Sequence, residues 1–191
     1  MNFDEYRDIV EKEASTLSHK EKVALCLICC SRLSPLYSKF SAVECWGDES
    51  VLSQSRQAAN GWLCGASVDV GALSKQLSKV IPDTEDFGSA LGSFALNAGV
   101  AHEHLLEQIK SKEYAPLIYV LQNCYDTIDF YVQELLDPEC NGGVSESDIE
   151  NHLAMVNEIN WQLSMLNRVK DSKDLVKLAG DQGIEPILNI A

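Results

Sequence analysis

SALGSFALNAGVAHEHLLEQIK (residues 89–110) is the stretch that decides the fold. Small side chains let neighbouring helices approach one another closely. They are concentrated in the first half of this stretch, at Ala90, Gly92, Ser93, Ala95, Ala98 and Gly99. The stretch contains no proline, and its length corresponds to about six helical turns. We therefore predict a central helix near residues 89–110, surrounded by other helices.

The rest of the chain also repeats its apolar residues with a helical period. The first stripe consists of Phe3, Tyr6, Ile9, Val10, Ala14 and Leu17. Two capping boxes, Ser18 with Glu21 and Ser145 with Asp148, are typical of helix starts. No segment alternates as a strand does, and no repeat or linker divides the chain. The sequence predicts an all-α single domain over residues 1–191, a bundle of about seven to eight helices.

Three features locate the predicted helix ends. Pro35 is expected to interrupt a helix that carries residues 23–33, because proline lacks the N–H that a helix interior needs. A long helix is predicted from about Glu146 to Val169. The C-terminal stretch IEPILNIA (184–191) is apolar enough to pack back onto the bundle.

The stretch HEHLLEQ (102–108) holds two of the four histidines. Residues two apart lie on nearly opposite sides of a helix, so His102 and His104 do not ligate one ion from a regular helix. The zincin motif needs a second histidine where this chain has Leu106. We predict no metal and no cofactor. One histidine is expected to face a neighbouring helix with a hydrogen-bond partner, and the other to lie nearer solvent with Glu103.

Cys26, Cys29 and Cys30 form a Cys-x-x-Cys-Cys motif. Helical peroxidase-partner proteins of the AhpD type place a histidine four residues after the second cysteine, where this chain has Leu33. The three cysteines share an apolar stripe with Val23 and Leu33. The pattern favours buried packing over a redox pair.

The net charge of −14 is unevenly distributed. Residues 80–167 contain fifteen acids against two bases, a net charge of −13, and residues 113–167 contain no lysine or arginine. Such a segment repels nucleic acid and anionic membranes and attracts a cationic partner. No apolar run approaches the length of a membrane span, and the acidic N-terminus is unlike a signal peptide. We expect a cytoplasmic protein.

Three stretches together resemble the YjaG-like family of uncharacterised bacterial proteins (domain of unknown function 416). They are ALCLICCSRLSPLYSKF (24–40), IPDTEDFGS (81–89) leading into ALNAGVAHEHLLEQI (95–109), and NHLAMVNEINWQLSML (151–166). The resemblance covers roughly residues 3–170. It implies an all-α cytoplasmic bacterial protein without an established reaction, and so it assigns no catalytic residue.

The charge pattern leads to the first functional hypothesis, a non-enzymatic module that binds a cationic protein. In its sharpest form it is an immunity protein that neutralises a toxin, because complementary charge speeds and orients docking. The acids expected to contact the partner lie in loops and near helix ends: Asp83, Glu85, Asp86, Asp137, Glu139, Glu146 and Asp148.

The alternative is a small-ligand-binding protein or an enzyme that uses a cleft between helices. Its candidate residues are Glu103, His104, Asp126, Glu158 and Trp161. A homodimer is compatible with either hypothesis.

Overall fold

The computed structural model describes residues 1–136, 144–180 and 185–188. Within these ranges the chain forms nine α-helices, one 3₁₀ turn and no strand, which confirms the all-α prediction. The helices are α1 (Phe3–Ser15), α2 (His19–Glu44), α3 (Glu49–Leu63), α4 (Val70–Leu77), α5 (Ala90–Lys110), α6 (Ala115–Leu136), α7 (Glu146–Asn151), α8 (Leu153–Asp171) and α9 (Leu175–Ala179). The 3₁₀ turn (Thr84–Asp86) lies between α4 and α5.

Helix α5 is the predicted central helix, and it packs against α2, α3, α4 and α6. Ala95, Ala98 and Ala101 on this helix are fully buried. Gly99 has no space for a side chain, because a Cβ atom there would lie 2.9 Å from Cγ1 of Ile81. The small residues of α5 therefore allow neighbouring helices to approach closely, as the sequence predicts.

Helix α2 continues through Pro35, so the predicted interruption is wrong. Pro35 removes one backbone hydrogen bond, but its ring lies on the exposed side of the helix. On the opposite side Leu33, Leu36, Tyr37 and Phe40 are buried on both sides of the proline. Burial of these side chains offsets the missing hydrogen bond and keeps the helix continuous.

Of the helices in the described ranges, α2 is the one long and apolar enough to cross a membrane. Its most apolar window has a mean hydropathy of 1.2, and 78% of that window is buried inside the bundle. A buried core helix has this same composition. The packing around α2 therefore accounts for its hydropathy.

Two helices replace the single helix predicted from Glu146 to Val169. His152 has extended backbone angles (φ −66°, ψ 139°), which end α7 and begin α8. Its Nδ1 accepts a hydrogen bond from the N–H of Ala154 at 3.2 Å. A histidine cap inside the apolar period thus divides the predicted helix.

Both predicted capping boxes are present. The N–H of Ser18 donates to Oε2 of Glu21 at 2.6 Å, and the N–H of Ser145 donates to Oδ2 of Asp148 at 3.4 Å. The serine oxygens accept the reciprocal hydrogen bonds. These bonds satisfy N–H groups that the first turn of a helix leaves unpaired.

The described part of the C-terminal stretch returns to α2, as predicted. The N–H of Ile187 donates to the carbonyl oxygen of Arg32 at 3.1 Å, and the Ile187 side chain is buried. This contact holds residues 185–188 against the middle of α2.

Candidate functional site

An ion pair between Arg32 and Glu158 lies inside the bundle. Two guanidinium nitrogens of Arg32 donate to the two carboxylate oxygens of Glu158, at 3.0 and 2.8 Å. The guanidinium carbon also lies 3.6 Å from the ring centroid of Trp161. Burial is the largest single effect and lowers the pKa of Arg32, but the hydrogen bonds and the negative charge of Glu158 together outweigh it, so the pKa is raised. We call Tyr6, Arg32, Glu158, Trp161 and Gln162 the buried brace.

Gln162 connects this ion pair to two further helices. Its Nε2 donates to Oε1 of Glu158 at 2.9 Å and to the carbonyl oxygen of Leu121 at 3.1 Å. Its Oε1 accepts a hydrogen bond from the hydroxyl of Tyr6. The buried brace thereby joins α1, α2, α6 and α8, and its polar groups satisfy one another.

The alternative cleft does not come together as one site in the structure. Glu158 and Trp161 belong to the buried brace, whereas Glu103 is exposed on α5. His104 lies on the outer side of α5, where its ring is 4.8 Å from the ring of Tyr119. Asp126 lies on α6 beside Asp129. The five candidates are thus divided among the buried brace, α5 and α6.

His102 is the predicted histidine with a partner on a neighbouring helix. It is fully buried, and its Nε2 lies 3.1 Å from Nη1 of Arg56 on α3. Because arginine only donates, Nε2 is the acceptor, and Nδ1–H donates to the carbonyl oxygen of Ala98 at 2.7 Å. Burial, assisted by the charge of Arg56, lowers the pKa of His102 to about 3. The imidazole is therefore neutral.

His104 is the histidine nearer solvent, but its acidic partner differs from the expected one. Its Nδ1 lies 3.2 Å from Oε2 of Glu107, not beside Glu103. The i,i+3 spacing of Glu107 places it on the same side of the helix as His104. Across the described ranges, no group of three or more histidine, cysteine, aspartate or glutamate side chains is arranged to hold a metal ion.

The three cysteines of α2 lie in the core, as the sequence predicts. Cys26, Cys29 and Cys30 are free thiols with no exposed surface, and Cys124 of α6 lies among them. Burial raises the pKa of Cys26 and Cys30 well above the ordinary value. Protonated, inaccessible thiols are poor nucleophiles, so their surroundings are those of packing residues.

Acids from three helices meet where α1 begins and α6 approaches α7. They adjoin two open hollows of about 500 and 340 Å³, and Glu146 lines both hollows. Asp126 contributes from the side of α6, next to Asp129. We call this set the acidic surface: Asp4, Asp126, Asp129, Glu134, Glu146 and Glu150.

The predicted partner-binding acids fall into two groups. Asp83, Glu85 and Asp86 lie exposed on or beside the 3₁₀ turn before α5, and Oδ1 of Asp83 accepts the N–H of Glu85 at 3.0 Å. The second group, Glu146 and Asp148, lies exposed on α7.

The first group precedes α5, whereas Glu146 of the second group lines a hollow with Glu134 near the end of α6. The rings of Phe94 and Phe130, 5.6 Å apart, show that the first part of α5 packs against α6. Among the described residues, no hydrogen bond or ion pair links the two groups. Two further predicted acids, Asp137 and Glu139, lie outside the described residues.

Four members of the acidic surface, Asp4, Asp129, Glu134 and Glu150, are not among the residues predicted from the sequence. Asp129 and Glu134 line the same hollow. The i,i+3 spacing of Asp126 and Asp129 was a usable signal in the sequence. Glu150 accepts the N–H of Phe3 at 3.0 Å, which brings Asp4 beside α7. That contact joins residues 147 positions apart, and no local pattern shows it.

The chain matches a family model described as "Protein of unknown function (DUF416)" over residues 10–179. No curated protein matches it. Its structure is similar to the crystal structure of a DUF416 family protein from Shewanella baltica OS155, with 24% sequence identity and a TM-score of 0.78. That match covers 88% of this chain and 90% of the other chain. At this identity the likeness shows the fold alone.

Proposed function

The chain belongs to the DUF416 family of proteins of unknown function, and we propose that it is a protein-binding module that docks a cationic partner on the acidic surface. The proposal rests on the charges of the acidic surface, which no basic side chain in the described ranges neutralises. In the described ranges, none of the six acids of the acidic surface forms an ion pair with a lysine, arginine or histidine.

Five acids elsewhere in the described structure form ion pairs. Glu13 pairs with Lys170, Glu49 with Arg56 and Glu158 with Arg32. By contrast, burial and the neighbouring charge of Asp129 raise the pKa of Asp126 to about 6. An ionised Asp126 is therefore costly in the free protein, and a bound cation relieves this cost.

Exposed apolar side chains near the acidic surface also support docking of a protein. Leu135 follows Glu134 at the end of α6 and is 44% exposed, and Leu153 at the start of α8 is 69% exposed. Val156, one turn after Leu153, is 39% exposed. Protein interfaces combine apolar contacts with a polar rim. The three apolar side chains supply the first element and the acids supply the second.

The finer form of the proposal is an immunity protein for a basic toxin in the cytoplasm. Its support is the sign and density of the charge: a basic active site is steered to an acidic surface and blocked by it. The same chemistry fits other basic proteins. Identification of the bound protein distinguishes a toxin from other partners.

The test is a pull-down from the native host at low and at physiological salt, followed by mass spectrometry and titration of the captured protein. We expect a stoichiometric basic protein that is lost as salt rises. A triple variant, Asp129→Asn, Glu134→Gln and Glu146→Gln, should weaken its binding about tenfold or more, at roughly 0.5 kcal/mol or more per neutralised charge.

The matched control neutralises three exposed acids on and just after α5, with Glu103→Gln, Glu107→Gln and Glu113→Gln. It changes the net charge by the same amount and should leave binding within about twofold, an effect of under 0.5 kcal/mol. Equal weakening by the two triple variants would reduce the effect to net charge and refute a docking site. Absence of any basic partner at low salt would also refute the proposal.

A further inference from the structure

A second feature, independent of the acidic surface, is a polar groove between α2, α3 and α9. It has a volume of about 830 Å³ and opens to solvent. Its walls include Ser31 and Ser38 from α2, and Glu49, Arg56 and Asn60 from α3. Neither the buried brace nor the cationic-partner proposal uses these side chains.

Arg56 is held rigidly in the wall of this groove. One terminal nitrogen, Nη1, donates to Oγ of Ser34 and to Nε2 of His102, and the other, Nη2, donates to Oε1 of Glu49 at 2.8 Å. These bonds use three of the five guanidinium protons. The Nε–H and the second Nη2 proton have no acceptor in the described parts of the chain. A fixed guanidinium with free N–H groups is suited to bind an oxyanion.

The serines of the groove present acceptors only. The hydroxyl of Ser31 donates to the carbonyl oxygen of Leu27 at 2.8 Å. The hydroxyl of Ser38 donates to the backbone carbonyl oxygen of Ser34 at 3.1 Å. With their protons committed, both oxygens are left to accept. Asn60 Oδ1 is buried and receives no hydrogen bond from the described residues. The groove therefore offers positions for hydroxyl or amine donors as well as for an anion.

From these observations we infer that the groove binds a small anionic metabolite whose carboxylate or phosphate meets Arg56 and whose hydroxyl or amine groups donate to the groove oxygens. The side chain of Arg56 is 18% exposed, so an ion pair there is less screened than one at the open surface. His102 stays neutral beside Arg56 and leaves the guanidinium charge uncompensated from that side.

In the free protein Glu49 is paired with the guanidinium of Arg56, and it therefore competes with an anionic ligand for that group. It lies at the rim, with 36% of its side chain exposed, on the first turn of α3. A bound oxyanion next to this carboxylate is repelled by it. Replacement of Glu49 by glutamine keeps an acceptor for Nη2 and removes the repulsion. If the groove binds an anion, Glu49→Gln therefore tightens that binding. If the pair of Arg56 with Glu49 is purely structural, the replacement has no such effect.

The experiment is calorimetric titration of the full chain with glycerol phosphate and with glycerate, using glycerol as the neutral probe. We expect both anions to bind and glycerol not to bind. Glu49→Gln should tighten anion binding about two- to fivefold, the range of a partly exposed charge interaction. Arg56→Lys keeps the charge but removes the planar fork, and should weaken binding about tenfold or more.

The matched controls come from the exposed pair Arg7–Glu11 on α1, with Arg7→Lys and Glu11→Gln. Both controls should bind the anions as the unmodified chain does. The inference is overturned if neither anion binds, or if Glu49→Gln tightens binding no more than Glu11→Gln. Because Glu49→Gln is expected to improve binding, loss of folding does not imitate its result.

Discussion

At the scale of single residues, His102 shows how packing fixes a protonation state. Its ring accepts from Arg56 and donates to Ala98, so a second proton has no position to occupy without facing the guanidinium. Burial and this neighbouring cation lower the pKa of His102 to about 3 from 6.5. The neutral ring is thus a condition of the native packing between α3 and α5.

We expect His102 to make the fold sensitive to acid. Between about pH 6.5 and about pH 3 the unfolded chain takes up a proton at this position and the folded protein does not, so the free energy of unfolding falls as pH falls. The loss is about 2 kcal/mol from about pH 7 to about pH 5. His102→Gln cannot titrate and should lack this loss, as measured by urea unfolding at both pH values.

Titration of Asp126 changes the free energy of unfolding in the opposite direction. The effect of His102 is therefore measured as the difference between the unmodified chain and His102→Gln. Its pKa is raised from 3.8 to about 6, so its ionisation costs stability as pH rises through that range. Asp126 is present in both the unmodified chain and His102→Gln, and its effect cancels in the difference. An unchanged pH dependence in His102→Gln would contradict the assignment to His102.

Residue-scale predictions from the sequence succeeded where the signal was local. The opposite directions of His102 and His104 follow from helix geometry alone. The partner of Glu158 did not follow, because Arg32 lies 126 positions away and Glu158 looks like a solvent-facing acid in its own helix. The groove around Arg56 was not predicted either, because its walls come from three helices that are separated along the chain.

At the scale of elements, helix existence was predictable and some boundaries were not. Pro35 and His152 gave opposite errors: the proline lies inside a continuous helix, and the histidine divides one. The apolar side of α2 is buried across the proline, which keeps that helix continuous. The extended backbone of His152 and its cap on the N–H of Ala154 end α7 before α8 begins.

Gly99 is the more tightly enclosed of the two glycines on α5, since a Cβ atom there would lie 2.9 Å from Ile81 and one at Gly92 would lie 3.1 Å from Phe87. We expect Gly99→Ala to destabilise the protein by about 1 kcal/mol, because overpacking against Ile81 outweighs the helix propensity gained. In an Ile81→Ala background the same change should be neutral or stabilising. Urea unfolding of the four proteins gives this coupling, and equal effects of Gly99→Ala in both backgrounds would exclude the contact as the cause.

At the scale of the whole molecule, the buried brace joins the first helix, the middle of the chain and α8. We expect Glu158→Gln to lower the free energy of unfolding by about 3 kcal/mol, because it leaves the Arg32 charge buried without its counterion. Arg32→Met combined with Glu158→Met should cost less than the single change, since no charge remains. Denaturant unfolding measures both effects.

The control for the brace is Glu13→Gln, which removes the partner of Lys170 in a more exposed pair that also joins α1 to α8. Its cost should stay below about 1 kcal/mol. If the double replacement cost as much as Glu158→Gln or more, the brace would stabilise the fold through its geometry and not through charge compensation alone.

The separation of the two brace charges along the chain has a consequence for biosynthesis. Arg32 leaves the ribosome 126 residues ahead of Glu158, an interval of roughly 6–25 s at roughly 5–20 residues per second. Throughout that interval α2, the longest helix in the described ranges, carries a cation whose counterion has not been made. The contacts of α2 with Glu158 form only after 126 further residues have followed Arg32, so the bundle around this guanidinium closes long after α2 itself has been made.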